Sequence, residues 1–165
     1  MSKKLLLFTF IYVLIIYATL PVGRYIVNFL YANFGKENLS VLINILLVVS
    51  VGTLFYLFRD KLKKLLLILP FIVIVAIMFI SLDRPEERVH FLQYAVLGIM
   101  IFKLFSPASS INRLILSSTA VLLVGAIDET IQWFLPNRVG DLKDVALNFI
   151  GGVLGVCIGK LYWSS

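Results

Sequence analysis

The chain has 165 residues, of which 61% are hydrophobic and 15% charged, and its formal net charge is +6. A soluble domain is about 45–50% apolar and about 25% charged, so this excess of apolar surface has no place but lipid. The basic residues lie in short clusters between apolar runs, a membrane-topology pattern; they form no basic face with interleaved aromatics, which argues against a nucleic-acid groove.

Lys3 and Lys4 precede an apolar run that stays uncharged from Leu5 through Gly23. No small-x-small cleavage site follows, so the run is expected to be an uncleaved first transmembrane helix. Arg24 to Gly35 is aromatic-rich and reads either as a continuation of that helix or as a short interfacial piece. Leu39–Phe58 and Leu65–Leu82 carry no charge. Both approach the ~20 residues that cross a hydrocarbon core about 30 Å thick.

The last three apolar runs are shorter: Val89–Phe102, Leu114–Ile127 and Val145–Gly159. Polar residues extend each one, so helices of crossing length must carry charge into or near the bilayer, where it faces a bundle interior or a wet cavity. The expected spans are 5–23, 39–58, 64–82, 86–105, 112–135 and 143–162. No period-two alternation occurs, which excludes a β-barrel. The expected fold is a single all-α, polytopic membrane bundle of about six transmembrane helices. Cys157, the single cysteine, lies in the last run and reads as a small buried residue.

Alternate connections place Lys3, Lys4, Arg59, Lys61, Lys63, Lys64, Lys103, Arg113 and Lys160 on one side, with Asp60 as its only acid. The other side has Arg24, Lys36, Arg84, Arg88, Arg138 and Lys143. It also holds Glu37, Asp83, Glu86, Glu87, Asp128, Glu129, Asp141 and Asp144. The excess of basic residues on the first side predicts both termini in the cytoplasm and the acid-rich face outside.

Three polar clusters carry the chemistry. In the first, Asp83 and Glu86 have capping-box spacing and Pro85 suits a first helical turn. Glu87, His90 and Tyr94 share one helical face, with Gln93 beside it. His90 is the only histidine; imidazole suits proton transfer near neutral pH.

The second cluster is Asp128-Glu129-Thr130-Ile131-Gln132, late in the fifth run, with Trp133 and Phe134 as interfacial anchors. Adjacent carboxylates diverge by about 100° on a helix, so both cannot face lipid without cost. The bland reading is a helix-end salt bridge to Arg138. The third cluster begins with a Pro136–Gly140 turn. Asp141 or Asp144 can cap the sixth helix, and Asp144 and Asn148 share a face. Gly151, Gly155 and Gly159 recur every four residues, which lets another helix pack closely.

These clusters, in this order, resemble the VanZ-like family of bacterial membrane proteins over roughly Asp83 to Gly155. The resemblance rests on His90 and Tyr94, on Glu129 and Gln132 in an Asp-Glu-x-x-Gln element, on Pro136 and Arg138, and on Asp144 and Asn148 followed by glycines. Asn137 stands where the family usually has glycine, a mild departure because asparagine tolerates left-handed turns. The family takes its name from resistance to the glycopeptide antibiotic teicoplanin. The resemblance therefore implies a multi-pass protein of the bacterial plasma membrane with a role at the cell envelope.

Two functional readings follow, and a polar network that only holds the bundle together is a third. The first is an intramembrane enzyme acting on an extracytoplasmic, lipid-linked cell-wall precursor or other lipidated substrate. His90, Glu129 and Asp128 would do acid–base work. Arg138 would clamp an anion, and Tyr94, Gln132, Asp144, Asn148 and Glu87 would bind and orient the substrate. The second is a binder or transporter of an anionic lipid or a lipidated antibiotic, for which a homo-oligomer would be expected. No cofactor is expected. A divalent cation is the alternative, because Asp128, Glu129, Asp141 and Asp144 offer oxygen ligands for Mg²⁺ or Ca²⁺; no close His/Cys set exists for zinc.

Overall fold

The computed structural model describes residues 2–82, 84–136 and 140–163. These form α1 (Lys3–Phe34), α2 (Lys36–Phe58), α3 (Leu62–Ser81), α4 (Pro85–Leu104), α5 (Ser110–Phe134) and α6 (Leu142–Trp163), with no strand among the described residues. Five of the six are long and apolar enough to cross a membrane. The exception is α4, which carries Glu86 and Glu87 in its first turn and Lys103 in its last. Large apolar side chains stand exposed along the helices, among them Phe8 and Phe10 on α1 and Val48 and Val49 on α2. Helices that are apolar on their outer faces belong in lipid, so the chain is a multi-pass helical membrane protein.

The stretch from Arg24 to Phe34 continues α1, which runs for 32 residues with Pro21 inside it. Pro21 has no N–H, so the Tyr17 carbonyl lacks its usual helical donor; membrane helices tolerate such interruptions. At 1.5 Å per residue α1 is about 48 Å long, more than a hydrocarbon core of about 30 Å requires.

The chain divides into two compact units, Phe29–Val89 and Met1–Asn28 with His90–Ser165. Within Phe29–Val89, α2 packs on α3. A single residue, Gly35 at φ 77°, joins α1 to α2, and glycine alone holds that backbone without steric penalty. Phe58, fully buried, accepts the Lys61 N–H at 2.8 Å as the chain turns into α3. The Tyr31 hydroxyl donates to Glu86 Oε2 at 2.6 Å. Arg59 and Asp60 form an ion pair at 3.5 Å on the exposed turn, where such pairs contribute about 0–1 kcal/mol.

In the other unit, α5 lies along α6. The core contains Ile16, Tyr94, Leu97, Ile101, Phe102, Val121 and Val156. Lipid tails are as apolar as leucine, so close packing must hold these helices together. The glycines of α6 provide it. A Cβ on Gly151 would lie 2.6 Å from the Phe91 carbonyl oxygen, and one on Gly155 would meet the Ala95 carbonyl. From the facing helix, a Cβ on Gly98 would meet the Gly152 carbonyl. Thus α4 and α6 touch backbone to backbone. Two α1 phenols add polar ties: Tyr12 donates to the Gln93 carbonyl at 3.2 Å and Tyr17 to the Val124 carbonyl at 3.0 Å.

Both later helices are capped by side chains, α6 by one of the two residues its sequence suggests and α5 by a serine the sequence reading did not single out. Ser109 Oγ accepts the Asn112 N–H at 3.4 Å at the start of α5, and Asp141 Oδ1 accepts the Lys143 N–H at 2.9 Å at the start of α6. Asp83, the other candidate cap, lies outside the described residues.

Candidate functional site

Gly125, Asp128, Glu129 and Gln132 occupy one stripe of α5, spaced three and four residues apart, and all are buried. The two carboxylates that cannot both face lipid turn inward together. Asp128 is 0% exposed and Glu129 6%. Asp128 lies 18 residues into α5, about 27 Å along it, in the last third of the helix.

The carboxyl oxygens are met one by one. Gln132 donates its amide hydrogens to Asp128 Oδ1 at 3.0 Å and to Glu129 Oε1 at 2.9 Å. Tyr94, fully buried on α4, donates its phenol hydrogen to Asp128 Oδ2 at 2.8 Å. The backbone N–H of Asp141 donates to Glu129 Oε2 at 3.1 Å. Asp141 therefore works twice, capping α6 with its side chain and holding Glu129 with its amide. The positive end of the α6 dipole favours a carboxylate there. Among the described residues, the four hydrogens given to the pair all come from neutral groups.

Asn148 completes the site from α6. It is 1% exposed, and its Oδ1 and Nδ2 have no hydrogen-bond partner among the described residues. Its Cβ and Tyr94 Cε1 each lie 3.5 Å from where a Gly125 side chain would begin. Asn148 and Tyr94 thus meet α5 at Gly125, one turn before the carboxyl pair. A buried amide left unfilled is uncommon in native proteins and calls for an explanation; a polar ligand with both a donor and an acceptor would fill it.

Of the residues named from sequence, Tyr94, Asp128, Glu129 and Gln132 form one bonded network with Asn148 beside it. His90 is half-buried on α4, one turn before Tyr94, and Asp144 is half-buried in the first turn of α6; the bonds described for Asp128 and Glu129 go to Tyr94, Gln132 and Asp141 instead. Glu87 lies in the Phe29–Val89 unit. Arg138, the expected anion clamp and salt-bridge partner, lies outside the described residues together with Asn137. Among the described residues no three His, Cys, Asp or Glu side chains converge as a metal-binding group.

Sequence reasoning missed the Asp141 amide, which no side-chain pattern announces. It also missed Tyr17 and Tyr12, hidden in an apolar run.

No curated protein and no solved structure matches the chain. Residues 86–163 match the model of the VanZ/LLP1 family, so the segment that holds Tyr94, Asp128, Glu129, Gln132 and Asn148 is VanZ-like.

Proposed function

We propose that the VanZ-like segment is an intramembrane acid–base site that acts on a lipid-linked or lipidated substrate at the bacterial cell envelope. The observation that carries this reading is the buried Asp128–Glu129 pair, held by four neutral donors. Two full negative charges side by side in a bilayer are costly; with a proton carried by Glu129 the pair has a single charge, which neutral donors can support. Such a pair can give or take a proton during a reaction. Glu129, bonded to the amide at the α5–α6 turn, is the member placed for exchange with a substrate, while Asp128 is locked between Tyr94 and Gln132. The unfilled Asn148 amide supports a place for a polar head group. His90 as a second proton carrier and Arg138 as an anion clamp are part of the same proposal, on the chemistry of their side chains. A divalent cation at the acidic residues is not needed in this account.

Mass spectrometry of envelope lipids and lipid-linked precursors tests the reading, with wild type and Glu129→Gln compared at equal expression. A covalent species that appears or disappears only with the wild type is the expected result. The unfilled Asn148 amide also favours a second reading, in which the site binds or moves a lipid without changing it. Unaltered covalent structures with a lipid that co-purifies in an Asn148-dependent manner would select that reading. Identical lipids and no bound lipid would overturn both.

A further inference from the structure

Arg88 entered the sequence reading only as one basic residue in a topology count, yet its surroundings are unusual. It is 9% exposed and sits in the Phe29–Val89 unit, in the opening turns of α4. Its Nη1 donates to Ser40 Oγ at 2.8 Å and to Asn44 Oδ1 at 3.0 Å, and its Nη2 donates to the Leu82 carbonyl at 2.6 Å. Ser40 and Asn44 stand one turn apart on α2, in the run from Leu39 to Phe58 that carries no charge, and Leu82 closes the C-terminus of α3.

Those acceptors are all neutral. They solvate the guanidinium, and the end of α3 adds a partial negative charge, but none supplies a counter-ion. Arginine does not shed its proton when buried, and a buried cation in a membrane protein favours an opposing charge; among the described residues no carboxylate is one of its hydrogen-bond partners. Of the five guanidinium hydrogens, both on Nη1 and one on Nη2 are engaged. Nε is buried and has no partner among the described residues. An Nε–H and an Nη2–H therefore remain, the kind of donor pair that grips an oxyanion through two parallel bonds.

Depth suggests which oxyanion. Ser40 and Asn44 are four and eight residues into α2, about 6 and 12 Å along it. A helix of 23 residues is about 35 Å long, close to the span of the hydrocarbon core. The guanidinium then lies just below the level of lipid phosphates, within reach of its long side chain.

We propose that Arg88 is an anion site that takes a phosphate group, supplied by a phospholipid head group or by free phosphate, with Ser40 and Asn44 holding the guanidinium in position. The proposal uses residues other than the carboxyl site and stands apart from its chemistry. The test is thermal unfolding of the delipidated protein in detergent. Phosphatidylglycerol, inorganic phosphate and diacylglycerol, which lacks phosphate, are titrated separately. Phosphatidylglycerol is expected to raise the unfolding temperature of the wild type and diacylglycerol is not. The apparent affinity should fall about tenfold or more in Arg88→Gln. An equal response to inorganic phosphate would assign the site to a soluble anion. A response to phosphatidylglycerol alone would assign it to lipid.

If Arg88→Gln does not fold, Arg88→Lys decides. Lysine keeps the charge but lacks the paired donors, so its response should be weaker than the wild type's. The proposal is overturned if neither phosphate source shifts the wild type beyond diacylglycerol. It is also overturned if the folded variant responds as strongly as the wild type, which would leave Arg88 as a tie between α2 and α4.

Discussion

Tyr94 donates its phenol hydrogen to Asp128 Oδ2 at 2.8 Å, so a fully buried side chain of α4 holds a fully buried carboxyl of α5. Removing only that hydroxyl, in Tyr94→Phe, keeps the ring that fills the core and leaves one carboxyl oxygen without its donor. The expected loss is about 0.6–1.7 kcal/mol of stability, the range for polar contacts between membrane helices. Thermal unfolding in detergent measures it. An unchanged unfolding temperature would mean the bond contributes nothing.

Gln132 serves two carboxyls where Tyr94 serves one. Gln132→Leu removes both donors at once and should destabilise by roughly twice as much as Tyr94→Phe. A double-mutant cycle of Gln132→Leu with Asp128→Asn should be non-additive, because the residues share a bond. Strict additivity would contradict a coupled network.

Asn148 should behave in the opposite way. Its amide atoms have no described partners, so Asn148→Leu exchanges an unfilled buried polar group for an apolar one of similar size. The fold should gain up to about 1–3 kcal/mol, while lipid processing or binding is lost. A variant that is both more stable and fully active would show that the amide holds no substrate.

Six helices were legible in the sequence, and α2 to α6 lie within a few residues of the expected spans, because polar residues mark the ends of the apolar runs. The α5 stripe was legible too, since Asp128, Glu129 and Gln132 lie three and four residues apart. The fate of Arg24–Phe34 was not, because a proline can sit inside a membrane helix or end one. Arg88 was opaque for a different reason. Its partners Ser40 and Asn44 lie more than forty residues earlier, in a run that carries no charge, and only packing brings them together. The unfilled Asn148 amide likewise exists only in the folded chain.

Close packing of α4 on α6 makes a separate prediction. Gly155→Leu puts a side chain where the Ala95 backbone lies and should cost about 1–3 kcal/mol or more, or prevent folding. Gly52 on α2 is the control. Open space surrounds it, so Gly52→Ala should stabilise by about 0.5–1 kcal/mol. Equal effects at the two positions would remove the argument for backbone contact between α4 and α6.

The charge balance predicts that the α5–α6 turn faces outside and the α2–α3 turn faces the cytoplasm. In a Cys157→Ala background, Lys143→Cys should react with an impermeant thiol reagent on intact cells. Asp60→Cys should react only after permeabilisation. The reverse pattern would invert the orientation and place the carboxyl site toward the cytoplasm.

Infrared difference spectroscopy tests the central proposal, that Glu129 carries a proton inside the membrane, most directly. Wild type would be compared near neutral pH with Asp128→Asn, Glu129→Gln and the double variant. A protonated-carboxyl band in the wild type that vanishes in the double variant is the predicted result. A wild type that shows only ionised carboxylate bands at these positions would contradict a protonated Glu129, and with it the acid–base account of the site.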